Sequence, residues 1–181
     1  MAYSQTPKTR DQLNNVVNSC TYPSLRQAFR MVAGADIAIK DTTLARASNA
    51  TLSADPDLVV NVLAGVPYYV KARLYVTTGA TPGFQLDQAG GTATAASVRG
   101  FTTFVTAAGA ATTIIDVTAL NTAQSPTAAA FVLVQFEGNI IFSDTGTLAI
   151  QWSQKASNAT AAQVLSQSFL LAEPMVALTG R

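Results

Sequence analysis

Between residues 66 and 76 the chain alternates with a period of two. Val66, Tyr68, Val70, Ala72, Leu74 and Val76 fall on one side, and Pro67, Tyr69, Lys71, Arg73 and Tyr75 on the other. One apolar face opposite a face of cations and aromatics predicts a half-exposed antiparallel strand. Phe131–Glu137 alternates in the same way, with Val132, Val134 and Phe136 set against Phe131, Leu133, Gln135 and Glu137. Thr147–Ser153 places Leu148, Ile150 and Trp152 on one side. Further strands are expected over Asp57–Leu63, Thr112–Leu120, Ile140–Phe142 and Val164–Leu171, with glycine-containing turn signals between them. Many short strands with no helical period between them predict a mainly β fold, an antiparallel jelly roll or β-sandwich, over residues 35–181.

The first 34 residues read differently. Leu13, Val16, Val17 and Cys20 recur at helical spacing, and so do Leu25, Ala28, Phe29 and Val32. Thr9 with Gln12 and Ser24 with Gln27 have capping-box spacing, Pro23 separates the two runs, and Gly34 suits a C-cap. A short helical N-terminal arm, with helices over 9–20 and 24–33, is therefore expected ahead of the β domain. The arm carries Lys8, Arg10, Arg26 and Arg30 against one acid, Asp11. These charges are either the solvated faces of two surface helices or an anchor for an acidic partner surface.

Asp87–Thr113 is a low-complexity stretch rich in Gly, Ala and Thr. It reads as a loop or weak strand, or else as a place where small residues let backbones approach closely.

Composition narrows the chemistry. Only 12% of residues are charged, against an average of about 25%. There is no histidine, which excludes a His-based triad, a His-ligated metal and an imidazole proton shuttle. One cysteine, Cys20, excludes an intrachain disulfide framework and any multi-thiolate metal site. On the apolar face of its helix, Cys20 reads as a buried thiol rather than a reactive one. A formal charge of +1 does not suit a nucleic-acid polyelectrolyte partner. No apolar run reaches the length of a membrane helix, and the opening residues have no apolar core, so neither a membrane span nor a secretory leader is expected.

Candidate catalytic groups are few. There is no G-x-S-x-G and no Walker loop. Asp55-Pro56-Asp57 pairs two carboxylates, but the proline suggests a turn leading into a strand rather than opposed acids. A calcium site using Asp55, Asp57 or Asp144 lacks the EF-hand pattern. No catalytic, cofactor-binding or metal-ligating residue is assigned. Asn49-Ala50-Thr51 and Asn158-Ala159-Thr160 match a glycosylation triplet that is common by chance. Tyr69 and Tyr75 flanking Lys71 and Arg73 could take a glycan or a nucleic acid, but the combination fits a subunit interface better. Phe131 and Leu133 join these four as interface candidates, because that strand is apolar on both faces and so expects a second cover.

The run Gly146-Thr147-Leu148-Ala149-Ile150-Gln151-Trp152-Ser153-Gln154, then Ser157-Asn158-Ala159-Thr160 and Val164–Leu170, resembles the closing strands of tailed-bacteriophage virion proteins. Those proteins have a trimeric jelly-roll, tumour-necrosis-factor-like domain. Leu52–Leu63 and Val66–Val76 are similar to the opening strands of the same family. The resemblance spans roughly residues 40–172 as a pattern, and the arm has no counterpart. It implies a homotrimeric virion protein without enzymatic activity, made in the host cytoplasm. The favoured role is capsid decoration, with the arm docked on the major capsid protein at the head surface. The alternative is a tail-fibre, head-fibre or baseplate module that reads host glycans through the loops Thr77–Phe84 and Asp87–Gly100. A glycan hydrolase would need paired acids that the sequence does not offer.

Overall fold

A computed structural model describes residues 35–79, 81–107, 112–127 and 129–175. The expected arm helices, with Cys20, Lys8, Arg10, Arg26 and Arg30, lie outside the described residues. The described residues contain strands and no helix, and every pair of strands is antiparallel.

The strands are β1 (Asp36–Ile39), β2 (Leu44–Arg46), β3 (Ser53–Val62), β4 (Pro67–Thr77), β5 (Gln85–Asp87), β6 (Ala95–Thr106), β7 (Thr112–Val117), β8 (Phe131–Phe142), β9 (Gly146–Ser153), β10 (Ala162–Val164) and β11 (Phe169–Pro174). The larger sheet runs in the order β1-β11-β4-β8-β6-β7, and β10 joins it by pairing with β4 and β2. The smaller sheet runs β3-β9-β5. The chain crosses repeatedly between sheets: β3 and β4, and again β8 and β9, are consecutive but belong to different sheets.

The inward side chains of both sheets form one apolar core. Tyr68, Val70, Ala72, Leu74 and Val76 of β4 enter it, as do Leu58, Val60 and Val62 of β3 and Leu148, Ile150 and Trp152 of β9. The alternation expected for β4 thus holds along its whole length, because a strand buried on one side only must send every second side chain inward. Phe84 stacks on Trp152 with ring centroids 5.6 Å apart, and Tyr68 meets Phe142 edge-on at 6.1 Å.

Several elements differ from the sequence expectation. Phe131–Glu137 and Ile140–Phe142 are one strand, β8, carried through Gly138. Val164–Leu171 is two strands, because a turn intervenes in which Gln167 has a left-handed φ of 66° and Ser168 Oγ donates to Leu165 O. Asp55-Pro56-Asp57 lies within β3, where the pairing with β9 shifts between Ala54 and Val59. A proline fits there because the interrupted ladder does not require its missing N–H. The short strands β1, β2 and β5 lie outside the strands expected from the sequence.

The largest difference falls in the low-complexity stretch. Ala95–Thr106, within the stretch read as a loop or weak strand, is a long strand between β7 and β8. The preceding segment runs along β9, with Gly90 N donating to Ala149 O and Ala93 N to Thr147 O. This is close backbone approach, within one chain. A Cβ built on Gly91 would sit 1.9 Å from Thr147 O. Gly100 of β6 and Gly138 of β8 face each other across the ladder, and a Cβ on Gly100 would lie 2.6 Å from Glu137 O.

Gly91→Ala should therefore lower stability by about 1–3 kcal/mol, the usual penalty of overpacking. Urea unfolding measures it, and an unchanged midpoint would show that this approach is looser than described.

Candidate functional site

The outer face of the larger sheet gathers most of the residues expected at an interface. Antiparallel partners directly opposite one another share a face. One row across the sheet is therefore Ile37, Leu171, Lys71, Glu137, Phe101 and Asp116. The next is Ile39, Phe169, Arg73, Gln135, Thr103 and Ile114. Tyr69 lies between Glu173 and Asn139, and Tyr75 opposite Leu133. Ile37, Ile39, Tyr75, Phe101, Ile114 and Ile141 are all exposed large hydrophobic residues on this face, Ile114 at 65%.

The cations of β4 do not point away from the sheet as free charges. Lys71 Nζ makes an ion pair with Glu137 Oε1 on β8. Arg73 donates from Nε and Nη2, each at 2.8 Å, to the Gln135 side-chain oxygen, with the amide oriented by this pairing. The charged residues of the face are Lys71, Arg73 and Arg99 against Glu137, Asp116 and Glu173, three of each sign. The face is thus apolar in large part and electrically balanced.

Tyr69, Lys71, Arg73, Tyr75 and Leu133 share this face. Phe131 does not. It is 2% exposed and packs edge-on against Phe104, with centroids 5.5 Å apart, in the chain's own core. The cause is a bulge. Val105 pairs with Leu133 and Thr106 with Phe131, so Val132 is the extra residue and turns outward. A strict period of two cannot register such a slip. Ile37, Ile39, Phe101 and Ile114 were not among the expected interface residues, although the alternation in Asp36-Ile37-Ala38-Ile39-Lys40 carries a usable signal.

The segments considered for glycan recognition are mixed, with Thr77, Thr81, Thr92 and Thr94 exposed. Thr78, Pro82, Gly83, Phe84, Asp87 and Gln88 are buried, and residues 95–100 belong to β6.

A second cluster joins groups that lie far apart in sequence. Lys40, just past β1, is 1% exposed and Asp55 is fully buried. Lys40 Nζ donates to Asp55 Oδ1 at 2.9 Å and to Asp57 Oδ2 at 2.7 Å. Trp152 Nε1 donates to Asp55 Oδ2 at 2.9 Å, and Asp57 N to Asp55 Oδ1 at 3.1 Å. The Arg46 guanidinium lies 4.1 Å from the centroid of a Trp152 ring and donates to the carbonyls of Ser53, Ala54 and Trp152. The two aspartates are thus occupied by a lysine. Asp144, the third calcium candidate, sits in the β8–β9 turn, where it accepts from Thr94 N at 2.6 Å. No group of three or more metal-ligating side chains occurs among the described residues.

The two Asn-Ala-Thr triplets have a structural role. Asn49 Oδ1 accepts from Thr51 N and Asn158 Oδ1 from Thr160 N, each at 2.8 Å, as Asx turns do. Both turns close on Gln154, whose Oε1 accepts from Asn49 N and Asn158 N.

A third polar cluster lies beside β5. Gln88 Nε2 donates to Gln124 Oε1 at 2.8 Å, and Thr102 Oγ1 donates to the same oxygen at 3.0 Å. Neighbouring Asp87 is 2% exposed. Burial pushes its carboxyl above the usual range, and this outweighs the stabilising backbone N–H groups of Gln88, Asn121 and Ala89.

Compared with known proteins, the chain matches no family model and no curated protein.

The raised Asp87 group sets a pH dependence. A carboxyl whose folded pKa exceeds its unfolded value contributes stability that is full below the unfolded pKa and is lost as pH rises through the folded one. Asp87→Asn, which does not titrate, should therefore gain stability relative to wild type at neutral pH. That advantage should shrink as pH falls through the carboxylate range. Thermal unfolding across this range checks it, and a constant difference between the two proteins would contradict the assignment.

Proposed function

We propose that this chain is a non-enzymatic structural protein of a bacteriophage virion, most consistent with capsid decoration. In this reading the β domain is a jelly roll that associates as a homotrimer. The resemblance in Leu52–Leu63, Val66–Val76 and Gly146–Leu170 supports the family. The repeated crossing between two antiparallel sheets supports the jelly-roll path.

The observation that carries the assembly reading is the outer face of the larger sheet. Copies of one chain present the same charges to each other, so a strongly signed face would repel itself. Here the face carries three cations and three anions, and Lys71 and Arg73 are already satisfied by Glu137 and Gln135. Covering this face buries Ile37, Ile39, Phe101 and Ile114 without leaving Lys71 or Arg73 unpaired. Tyrosine and arginine suit such surfaces. A neutral face also fits another protein better than nucleic acid.

Lys8, Arg10, Arg26 and Arg30 then serve as the attachment arm toward an acidic surface of the major capsid protein. Binding only to the assembled shell shifts that shell away from disassembly by mass action. The tail-fibre reading has less support, because the loops it relies on contain the buried residues Thr78, Pro82, Phe84 and Gln88.

Two measurements test this. Light scattering should give three times the chain mass for the wild type and a monomer for Phe101→Lys combined with Ile114→Lys. Both sites are exposed, so this variant should stay folded to within roughly 0.5 kcal/mol per site. A monomeric wild type would remove the assembly reading. Immunogold labelling of particles should decorate the whole head, and label confined to the tail would exclude the decoration role.

A further inference from the structure

Lys40, Asp55, Asp57 and Trp152 form an arrangement richer than a buried ion pair requires. A primary amine and a carboxyl group sit in hydrogen-bond contact, 2.9 Å apart, at 1% and 0% exposure. A second carboxylate, Asp57, touches the same Nζ at 2.7 Å and is itself 38% exposed. An indole N–H holds the other oxygen of Asp55. Both reacting groups are held in place. The backbone at Lys40 is pinned on both sides, its N–H donating to Ser168 O and its carbonyl accepting from Gln167 N. Asp55 is fixed at the β3 interruption by three donors: Lys40 Nζ, Asp57 N and Trp152 Nε1.

We propose that Lys40 and Asp55 condense to form an intramolecular isopeptide bond, with Asp57 carrying the proton and Trp152 polarising the carboxyl. Asp57 Oδ2 takes one proton from the Lys40 ammonium. The freed Nζ lone pair attacks Cγ of Asp55, and the developing negative charge on Oδ2 is met by Trp152 Nε1–H. Oδ1 leaves as water. It takes two protons that began on Nζ, one of them returned by Asp57. Nζ keeps the third as the amide N–H, and Oδ2 becomes the amide oxygen. An ammonium and a carboxylate thus become one amide and one water, and Asp57 ends in its starting charge state. No oxidant or activated co-reactant is needed.

The setting favours the step. Holding amine and carboxyl in contact turns a bimolecular condensation into an intramolecular one. Two charges buried away from water are costly, and the amide removes both. Asp57 loses a cationic neighbour but stays open to solvent. The new bond would join the end of β1 in the larger sheet to β3 in the smaller one, tying the sheets covalently. This modification is independent of the assembly reading above, and either can fail without the other.

The test is the mass of the purified full-length chain after incubation at neutral pH. The expected result is one water below the sequence mass. Trypsin should then fail to cut after Lys40 and should release residues 31–46 joined to residues 47–71. Lys40→Arg keeps the positive charge but cannot condense, and should show the full sequence mass. Asp57→Asn should slow condensation by about a hundredfold, the scale of a lost general base, while the near-ultraviolet circular dichroism of the core aromatics stays native. Full sequence mass in the wild type, with residues 31–40 and 41–46 recovered as separate peptides, would overturn the proposal. So would a water loss confined to a linear 47–71 peptide, which marks a cyclic imide, or a water loss that persists in Lys40→Arg.

Discussion

The burial of one carboxylate organises the contact between the two sheets. Asp55 lies at 0% exposure on β3, and an ionised carboxyl can stay there only if its oxygens are satisfied. The donors come from three separate parts of the chain. Lys40 follows β1 in the larger sheet, Trp152 belongs to β9 in the smaller one, and Asp57 N closes the local turn. Removing Trp152 leaves a buried oxygen short of a donor, and removing Lys40 breaks a buried ion pair, which typically costs about 3–5 kcal/mol. Trp152 in turn stacks on Phe84 and lies under Arg46, whose guanidinium ties β2 to carbonyls of β3 and β9. The interruption of β3 at Pro56 is what turns the carboxyl inward, so this irregularity is a requirement of the core rather than a defect in it.

Around this point the sheets close through small side chains. β9 has β3 on one side, and on the other β5 followed by the segment through Gly90 and Ala93. That segment can lie against Thr147 only because residue 91 has no Cβ. Gly100 and Gly138 permit the same closeness between β6 and β8, where Phe136 leans into the space a side chain would fill. The alanine, glycine and threonine bias of residues 87–113 thus reflects packing inside the domain.

These features explain what the sequence made legible. The β4 strand was readable because its inner side is consistently apolar and its outer side polar or aromatic. β6 was hidden, since Gly100 and Thr102 occupy inward positions where periodicity analysis looks for large apolar residues. Thr102 is inward because Gln88 and Gln124 give it hydrogen-bond partners, a fact fixed by tertiary contacts. Phe131 was assigned to the wrong side because the bulge at Val132 reverses the alternation within a single strand. Turned inward, it meets Phe104 in the chain's own core and takes no part in the outer face. Of the surface residues, Tyr69, Lys71, Arg73, Tyr75 and Leu133 were found from one or two strands. Ile37, Phe101 and Ile114 could be placed beside them only once strand order was known. Lys40 carried no signal at all, because its partners lie 15 and 17 residues away on another sheet.

The scarcity of charge therefore has a spatial meaning. Lys40 is matched inside the fold by Asp55 and Asp57, Lys71 by Glu137 on the outer face of its own sheet, and Arg73 by a neutral amide. A group satisfied within its own chain can be covered by another protein without a new partner having to be supplied. Free lysines on the same strands would instead impose a desolvation cost on any covering protein. The outer face combines these matched polar groups with exposed isoleucines and aromatics, so covering it gains apolar burial at little electrostatic cost. This balance, more than the low charge count, distinguishes a face built for contact with protein from one built to hold a polyanion.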